Sequence, residues 1–374
     1  MSEGALGLSA STGVIGPAAT PRRLMWLKFR AHRLALASLV VIALLYLVMI
    51  FCGFVAPYDP ELKTGHPLAA PQWPHLIVQG RLQWPPVVYG ITQKLDMQTF
   101  QRSYAADETQ VFPLQFFVRG APYLLLGFIP TDIHLFGAGE GALYLMGTDV
   151  LGRDLFSRVV YGARISLSIG LVGVALSLIL GIVLGGISGY FGGKTDTLIQ
   201  RLIEIIQSFP SIPLWMALAA ALPTNWSTVQ VYFGITVILS IIGWTDLARV
   251  VRGRFLSLRE EDFVLAAKLS GASEARIIRK HLLPNFMSHI IASVTLSIPG
   301  MILAETSLSF LGIGLTPPAI SWGVLLQAAQ NVNSLVVAPW LLLPGFMVVV
   351  TVLAFNFLGD GLRDAADPYS HTDG

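Results

Sequence analysis

Six stretches of this chain, near 34–56, 166–188, 203–222, 231–250, 288–310 and 339–359, are long and apolar enough to cross a lipid bilayer. A helical crossing takes roughly 20 apolar residues, because the hydrocarbon layer is about 30 Å thick and a helix rises about 1.5 Å per residue. Hydrocarbon offers no partner to a backbone amide, so a crossing segment is a helix or a strand of a closed barrel. Runs of this length exceed a barrel strand. Composition agrees: 54% of residues are hydrophobic, 12% are charged, and the mean hydropathy is +0.66. Such values exclude an ordinary soluble globule. The expected fold is an all-α polytopic membrane protein with six transmembrane helices.

An even number of crossings puts both termini on one side, and the basic residues say which. Arg22, Arg23, Lys28, Arg30 and Arg33 precede the first run, Lys194 and Arg201 follow the second, and eight Lys or Arg lie from Arg249 to Lys280. The loops 223–230 and 311–338 contain neither residue type. Lys and Arg are retained on the cytoplasmic side, so a bacterial inner-membrane location with both termini cytoplasmic is expected. Residues 1–33 form an N-terminal tail, of which 1–20 are rich in Gly, Ala, Ser, Thr and Pro and are expected to be disordered. The run 34–56 is too long for a signal-peptide core and no clean cleavage site follows it, so it is read as the first helix. The single cysteine, Cys52, excludes an intrachain disulfide framework and a cysteine-based zinc site. Met49, Ile50 and Phe51 lack the small residue of a lipoprotein cleavage site, so Cys52 is expected to be buried in a helix.

Residues 57–147 read as an extracytoplasmic insert between the first two crossings. Within it, Val111 to Ile129 is apolar enough to imitate a seventh span. Pro113, Arg119, Gly120 and Pro122 argue against a lipid-facing helix, because freed backbone groups and a charge would lack water. Its prolines, with Trp73 and Trp84, point to turns and short strands packed around a small apolar core.

Residues 148–365 hold five more crossings, and 366–374 form a C-terminal tail. Asp154 and Arg158 stand four apart with Leu155, Val159 and Gly162 opposite, the pattern of an amphipathic helix at the outer interface leading into the second span. That span carries Gly181, Gly185 and Gly189 at four-residue spacing, which permits close helix crossing. Gly192-Gly193-Lys194-Thr195 imitates the end of a phosphate-binding loop, but the required first glycine is Ser188 and a membrane helix precedes it where a strand should. Pro210 and Pro213 interrupt the third span, and Pro299-Gly300 the middle of the fifth, so these are candidate kinks or gates. The ionisable residues within spans, Glu204, Asp246 and Glu305, sit near predicted ends, where a proton-driven pump would place acids at the midplane.

The most polar helix-prone segment between crossings is 257–285, SLREEDFVLAAKLSGASEARIIRKHLLPN. Ser257 with Glu260 forms a capping-box pattern, and Phe263, Ala266, Ala267 and Ser270 recur on one helical face. Gly271 suits the left-handed residue that closes a helix, and Ser273 with Glu274 can open another, expected to stop before Pro284. The result is a short helix–turn–helix beside the membrane whose alanine pair lets another surface approach closely.

The pattern Ala266-Ala267-x-x-x-Gly271, followed after nine residues by His281-x-Leu283-Pro284, resembles the coupling loop of binding-protein-dependent ABC importers. The family's glutamate is Leu265 here and its isoleucine is His281. A second stretch, MGTDVLGRDLFSRVVYGARISL from Met146 to Leu167, resembles the signature of peptide-type permease C subunits. Ala304 to Gly312, Ser321-Trp322-Gly323 and Leu353 to Asp364 resemble the same family's outer loop and ending. The likeness covers 34–56 loosely and 146–368 closely, and fails over 57–145, an insert that some longer relatives share. It implies a type I ABC importer permease fold of the dipeptide, oligopeptide and nickel class. It also implies docking of an ATPase on Ala266, Ala267, Gly271, Ala272, Leu283 and Pro284. The implied partners are a homologous second permease subunit, two cytoplasmic ATPase subunits, a periplasmic or lipid-anchored substrate-binding protein and membrane lipid, with no nucleic acid. ATP and magnesium would belong to the ATPases, leaving this chain without catalytic residues, cofactor or metal. Two other classes fit the sequence less well. A membrane enzyme would need a motif such as HExxH or GxSxG, which the sequence lacks. An ion-coupled carrier or channel would transport without any ATPase.

Overall fold

The computed structural model describes residues 21–78, 80–95, 97 and 102–366; the expected disorder of 1–20 and nearly all of the C-terminal tail lie outside these. The chain enters through α1 (Pro21–Ala31) and α2 (Arg33–Ile50), capped by the His32 ring, which accepts the Ala35 N–H at 3.1 Å. A break at Phe51 leads into one turn, α3 (Cys52–Val55), where Cys52 is buried as expected.

The insert is built from β1 (His75–Val78), β2 (Arg81–Leu95), β3 (Arg102–Pro113), β4 (Gln115–Leu125) and β5 (Ile129–Gly137). They form an antiparallel β1-β2-β3 sheet and a separate β4–β5 hairpin. Val111–Ile129 thus holds strand and turn, not a span. Two expectations are corrected. The strands are long, β2 running to 15 residues, because cross-strand pairing over a small core needs length to gain contacts. Trp73 and Trp84 are 74% and 77% exposed; the core instead gathers Val88, Leu114, Ala138 and Leu143 under Tyr58 and Phe112.

α4 (Leu155–Phe191) is one unbroken helix of 37 residues, so the expected interfacial helix and the second span are continuous. Arg158 is 2% exposed, which corrects the amphipathic reading: its charge is matched inward, by Glu61 at 2.8 Å and Asp149 at 3.7 Å. Gly192 (φ 67°) ends α4, and α5 (Gly193–Ser208) and α6 (Ser211–Ala220) follow, bent by 86° about Phe209-Pro210. The third span is therefore broken, not a single helix over 203–222. Pro210 is the N-cap residue of α6 and Pro213 falls in its first turn, where a missing N–H costs nothing. The bend replaces what would be an interrupted hydrogen-bond ladder.

α7 (Thr228–Leu258) opens with a capping box of Ser227 and Gln230. It runs parallel to α4: Gly173 faces Ser240, Gly181 faces Leu247, Gly185 faces Ala248 and Gly189 faces Arg252. A side chain at Gly185 would collide with the Ala248 carbonyl, so the glycine spacing sets how close the axes come. Parallel helices joined in sequence require the intervening chain to return. Its contacts climb in order, Asp196 to Arg252, Gln207 to Thr245 and Leu222 to Gly234.

Next come α8 (Asp262–Leu269), α9 (Glu274–Ile277) and α10 (Leu283–Phe310). The expected capping box at Ser257 is absent, because α7 persists to Leu258 and Glu261 is the N-cap residue of α8. Nor does the second helix stop before Pro284. One π-turn over 278–282 carries α9 into α10, placing Pro284 in the first turn of α10, where its lack of an N–H is tolerated. Pro299 lies inside α10. Short helices α11 (Trp322–Leu326) and α12 (Val332–Val337) close the outer loop before α13 (Leu343–Ala366). Among the described residues five helices are long and apolar enough to cross a membrane, or six if the bent pair counts as one.

Candidate functional site

Two sites follow from this architecture: an elbow at the end of the bundle opposite the insert, and a cavity beside the broken helix.

The elbow is α8, its terminating turn and α9. The turn is a complete Schellman arrangement: Ala272 N–H donates to the Ala267 carbonyl and Gly271 N–H to that of Lys268, both at 3.0 Å. Gly271 takes φ +74° with nothing within 4 Å of an added Cβ, so glycine is required by the backbone and not by crowding. Val264, Ile277 and Leu282 are buried with Tyr190, Val251 and Phe255, fixing the elbow to the ends of α4 and α7. The Lys268 ammonium lies 5.4 Å from the Tyr190 ring centre, and Asp196 holds Arg252 through two bonds of 2.5 and 2.6 Å.

Of the residues expected at this site, Ala266, Gly271 and Pro284 are exposed and Ala267, Ala272 and Leu283 are half-buried. Sequence reasoning missed the exposed apolar pair of α8, Leu265 and Leu269, the latter 90% exposed. Their i, i+4 spacing was a readable signal. α8 is buried through Val264, while Phe263, Ala266 and Ser270 are exposed and Ala267 is half-buried. The closed turn thus leaves Leu265 and Leu269 bare on the side of α8 away from Val264.

The cavity, of about 700 Å³, lies between α4, α5, α6, α7 and α10. The candidate gate residues are assembled here: Gly300 lines it, Pro210 stands between the lining residues Phe209 and Ser211, and Pro299 precedes Gly300. Its polar wall was not foreseen. Gln207 donates to Thr245 Oγ1 at 3.0 Å and to Asp246 Oδ1 at 2.9 Å, and Asp246 is the one charged residue among those that line it. Trp215 shares the wall. The broken helix gives these side chains access to the opening, as interrupted helices do in transporters.

The second expected signature, Met146 to Leu167, joins insert to bundle. Arg153 bonds Asp149 at 2.7 Å and Glu61 at 2.9 Å, Arg158 bonds Glu61 and the Pro60 carbonyl, and Trp340 Nε1 donates to Thr148 O at 3.0 Å. Asp154 caps α4 by accepting the Ser157 N–H at 2.7 Å, while its other carboxylate oxygen is buried without a partner. Burial pushes its pKa up to about 7, against the lowering effect of the Ser157 and Phe156 hydrogen bonds. The folded state therefore holds this proton more tightly than the unfolded chain, so its contribution to stability is full below about pH 4 and is lost as pH rises towards 7. Asp154→Asn keeps a good cap without the ionisation. Its thermal midpoint should vary less between pH 5 and 8 than that of the parent; an equal fall in both proteins would refute the assignment.

The fold is that of a polytopic helical membrane bundle with a cleft behind a broken helix and an exposed elbow at one end. Comparison with known proteins gives its family. The pattern of binding-protein-dependent transport system inner membrane components matches residues 181–369, and that of the N-terminal membrane domain of oligopeptide transport permease C matches 20–74. A dipeptide transport system permease from Lactococcus lactis is 33% identical over 371 residues, covering 99% of this chain and 97% of its own. That alignment runs through the insert. A dipeptide permease from Bacillus subtilis is 42% identical over 224 residues (59% and 68% of the two chains), and an oligopeptide permease from Haemophilus influenzae is 41% identical over 257 (67% and 80%). A solved structure of an inward-facing methionine ABC transporter gives a TM-score of 0.46 at 18% identity, covering 56% of this chain and 97% of that one. The chain belongs to the binding-protein-dependent transport system inner membrane component family, as a multi-pass inner-membrane permease of an ABC importer.

Proposed function

We propose that this chain is one of two homologous permease subunits of an ATP-driven importer of dipeptides or oligopeptides, working by alternating access. The observation that carries the reading is the elbow: a pre-formed turn with exposed leucines, pinned by Val264, Ile277 and Leu282 to the ends of α4 and α7, which flank the cavity. ATPase subunits on the cytoplasmic side bind ATP and magnesium, and their closure moves the elbow as a unit. The α5–α6 bend at Pro210 and the Pro299-Gly300 step let the cavity walls follow. A binding protein on the other side delivers substrate. Both termini and the elbow are cytoplasmic and the insert is extracytoplasmic, in line with the distribution of Lys and Arg. The peptide substrate is supported by the named activities of the relatives that cover most of the chain.

The test is reconstitution of the chain with its companion permease, ATPases and binding protein in proteoliposomes. ATP-dependent uptake of labelled di- or tripeptides is the expected result, with none when ATP is omitted. Uptake by this chain alone, or uptake of nickel but no peptide, would overturn the reading.

A further inference from the structure

The β4–β5 hairpin has an apolar end that the insert does not cover. From Gly120 to Thr131 there is no charged residue. Leu124, Leu126, Phe128 and Ile129 are 60%, 48%, 71% and 42% exposed. A turn in contact with water would favour Asn or Gly where the backbone is left-handed. Here Leu126 (φ 55°) takes that conformation beside Gly127 (φ 86°), so a bulky apolar side chain is kept at a strained position.

The hairpin's direction is fixed by its packing on α3, the turn that continues the first span. The His134 ring lies 2.6 Å from the Ala56 carbonyl oxygen, while Tyr123 covers Gly53. Ala56 is further along the chain from the span than Gly53. His134 pairs with Val118, and Tyr123 with Thr131 nearer the turn. Turn and span therefore lie on the same side of this contact, and the hairpin points back towards the bilayer. At a strand rise of about 3.3 Å, three residues carry the turn roughly 10 Å beyond the level of Tyr123. Phe117, 6.1 Å from Phe54 between ring centres, adds a further contact of the hairpin with α3.

We propose that the turn at 126–128 is seated in the bilayer leaflet on the insert's side, as an interfacial anchor that fixes the insert against the membrane surface. Gly127 N–H donates to the Leu124 carbonyl and Phe128 N–H to that of Leu125, so the turn satisfies these two donors itself. The unpaired outer edges of a two-stranded ribbon hold it at the headgroup boundary, since they cannot leave water altogether. Aromatic and aliphatic side chains suit that depth. A protein partner would be expected to meet a polar rim, which this uncharged stretch does not offer.

The test uses the full chain carrying Cys52→Ser and one of Phe128→Cys, Leu124→Cys or, on the three-stranded sheet, Leu82→Cys, each labelled with a nitroxide in phosphatidylethanolamine–phosphatidylglycerol liposomes. Accessibility to oxygen and to a water-soluble nickel chelate gives the depth of each label. The 128 label should favour oxygen over nickel, the 124 label should lie shallower, and the 82 label should be open to nickel. Nickel access at 128 equal to that at 82 would overturn the proposal. So would shielding that appears only when the companion permease or binding protein is added, which would make the occupant a protein. The outcome does not depend on ATP or peptide, and is separate from the importer reading.

Discussion

Gly271→Val should lower substrate-stimulated ATP hydrolysis and uptake by about ten-fold in the assembled importer, while leaving the thermal stability of the bundle nearly unchanged. Valine at φ +74° is forced into the left-handed region, at a cost of about 1–2 kcal/mol for an L-residue and more for a β-branched one. The chain can relieve that strain by opening the turn, which breaks the bonds from Ala272 to Ala267 and from Gly271 to Lys268. α8, with Leu265 and Leu269, then loses its fixed placement relative to α9. An energy of about 1.4 kcal/mol already corresponds to ten-fold in an equilibrium, so a population of misplaced elbows is enough to weaken coupling. Stability is spared because Gly271 is exposed and touches none of the buried cluster. Gly271→Asn is the control: asparagine tolerates this backbone and should retain most of the activity. Full coupling in the valine variant would show that the turn's shape does not matter to the motor.

The largest effect on stability is expected from Arg158→Ala. Its guanidinium is buried at the first turn of α4 and reaches the Pro60 carbonyl, Glu61 and Asp149. Glu61 is half exposed and stays solvated, but Asp149 is buried, and removing one member of a buried pair typically costs about 3–5 kcal/mol. Arg153 still bonds both acids and offsets part of this, so a loss of about 3 kcal/mol is expected. The measurement is thermal unfolding in detergent, joined to limited proteolysis of 57–147, since the network is where insert and bundle meet. Arg158→Lys should rescue only in part, because an ammonium that takes over the two bonds of Nη1, to Pro60 and Glu61, gives up the second cation beside Asp149. Combining Arg158→Ala with Glu61→Ala should cost less than the sum of the two single changes. Strict additivity would mean that the two side chains do not act together.

The elements read most directly from sequence are those governed by local chemistry. Apolar length located the long helices α2, α4, α7, α10 and α13, and the glycine triad of α4 meets α7 as its spacing implied. Gly271 was legible because one backbone conformation calls for one residue type. The errors share a cause. Ser257 and Glu260 fit a helix start, yet α7 runs past Ser257, because buried Phe255 keeps that helix going and a capping box adds little against tertiary packing. Pro284 fits a helix end, yet a π-turn absorbs it. Arg158 fits a wet helix face, yet its two hydrogen-bond partners, Pro60 and Glu61, come from more than 90 residues away in sequence.

The cavity shows the same division. Pro210, Pro299 and Gly300 could be picked out singly as breaks in helical pattern. That they converge on one opening, with Gln207 holding Asp246 on its wall, depends on how five helices pack. The sequence alone determined that this chain lies in a membrane, roughly where it crosses, and where it turns a fixed elbow, because lipid solvation and left-handed backbone act on each residue where it stands. Tertiary structure decided the 86° break, the inward pairing of Arg158 and the uncovered apolar tip of the hairpin. Each of these is a choice among burial partners distant in sequence, and such choices are energies of contact that no local pattern encodes.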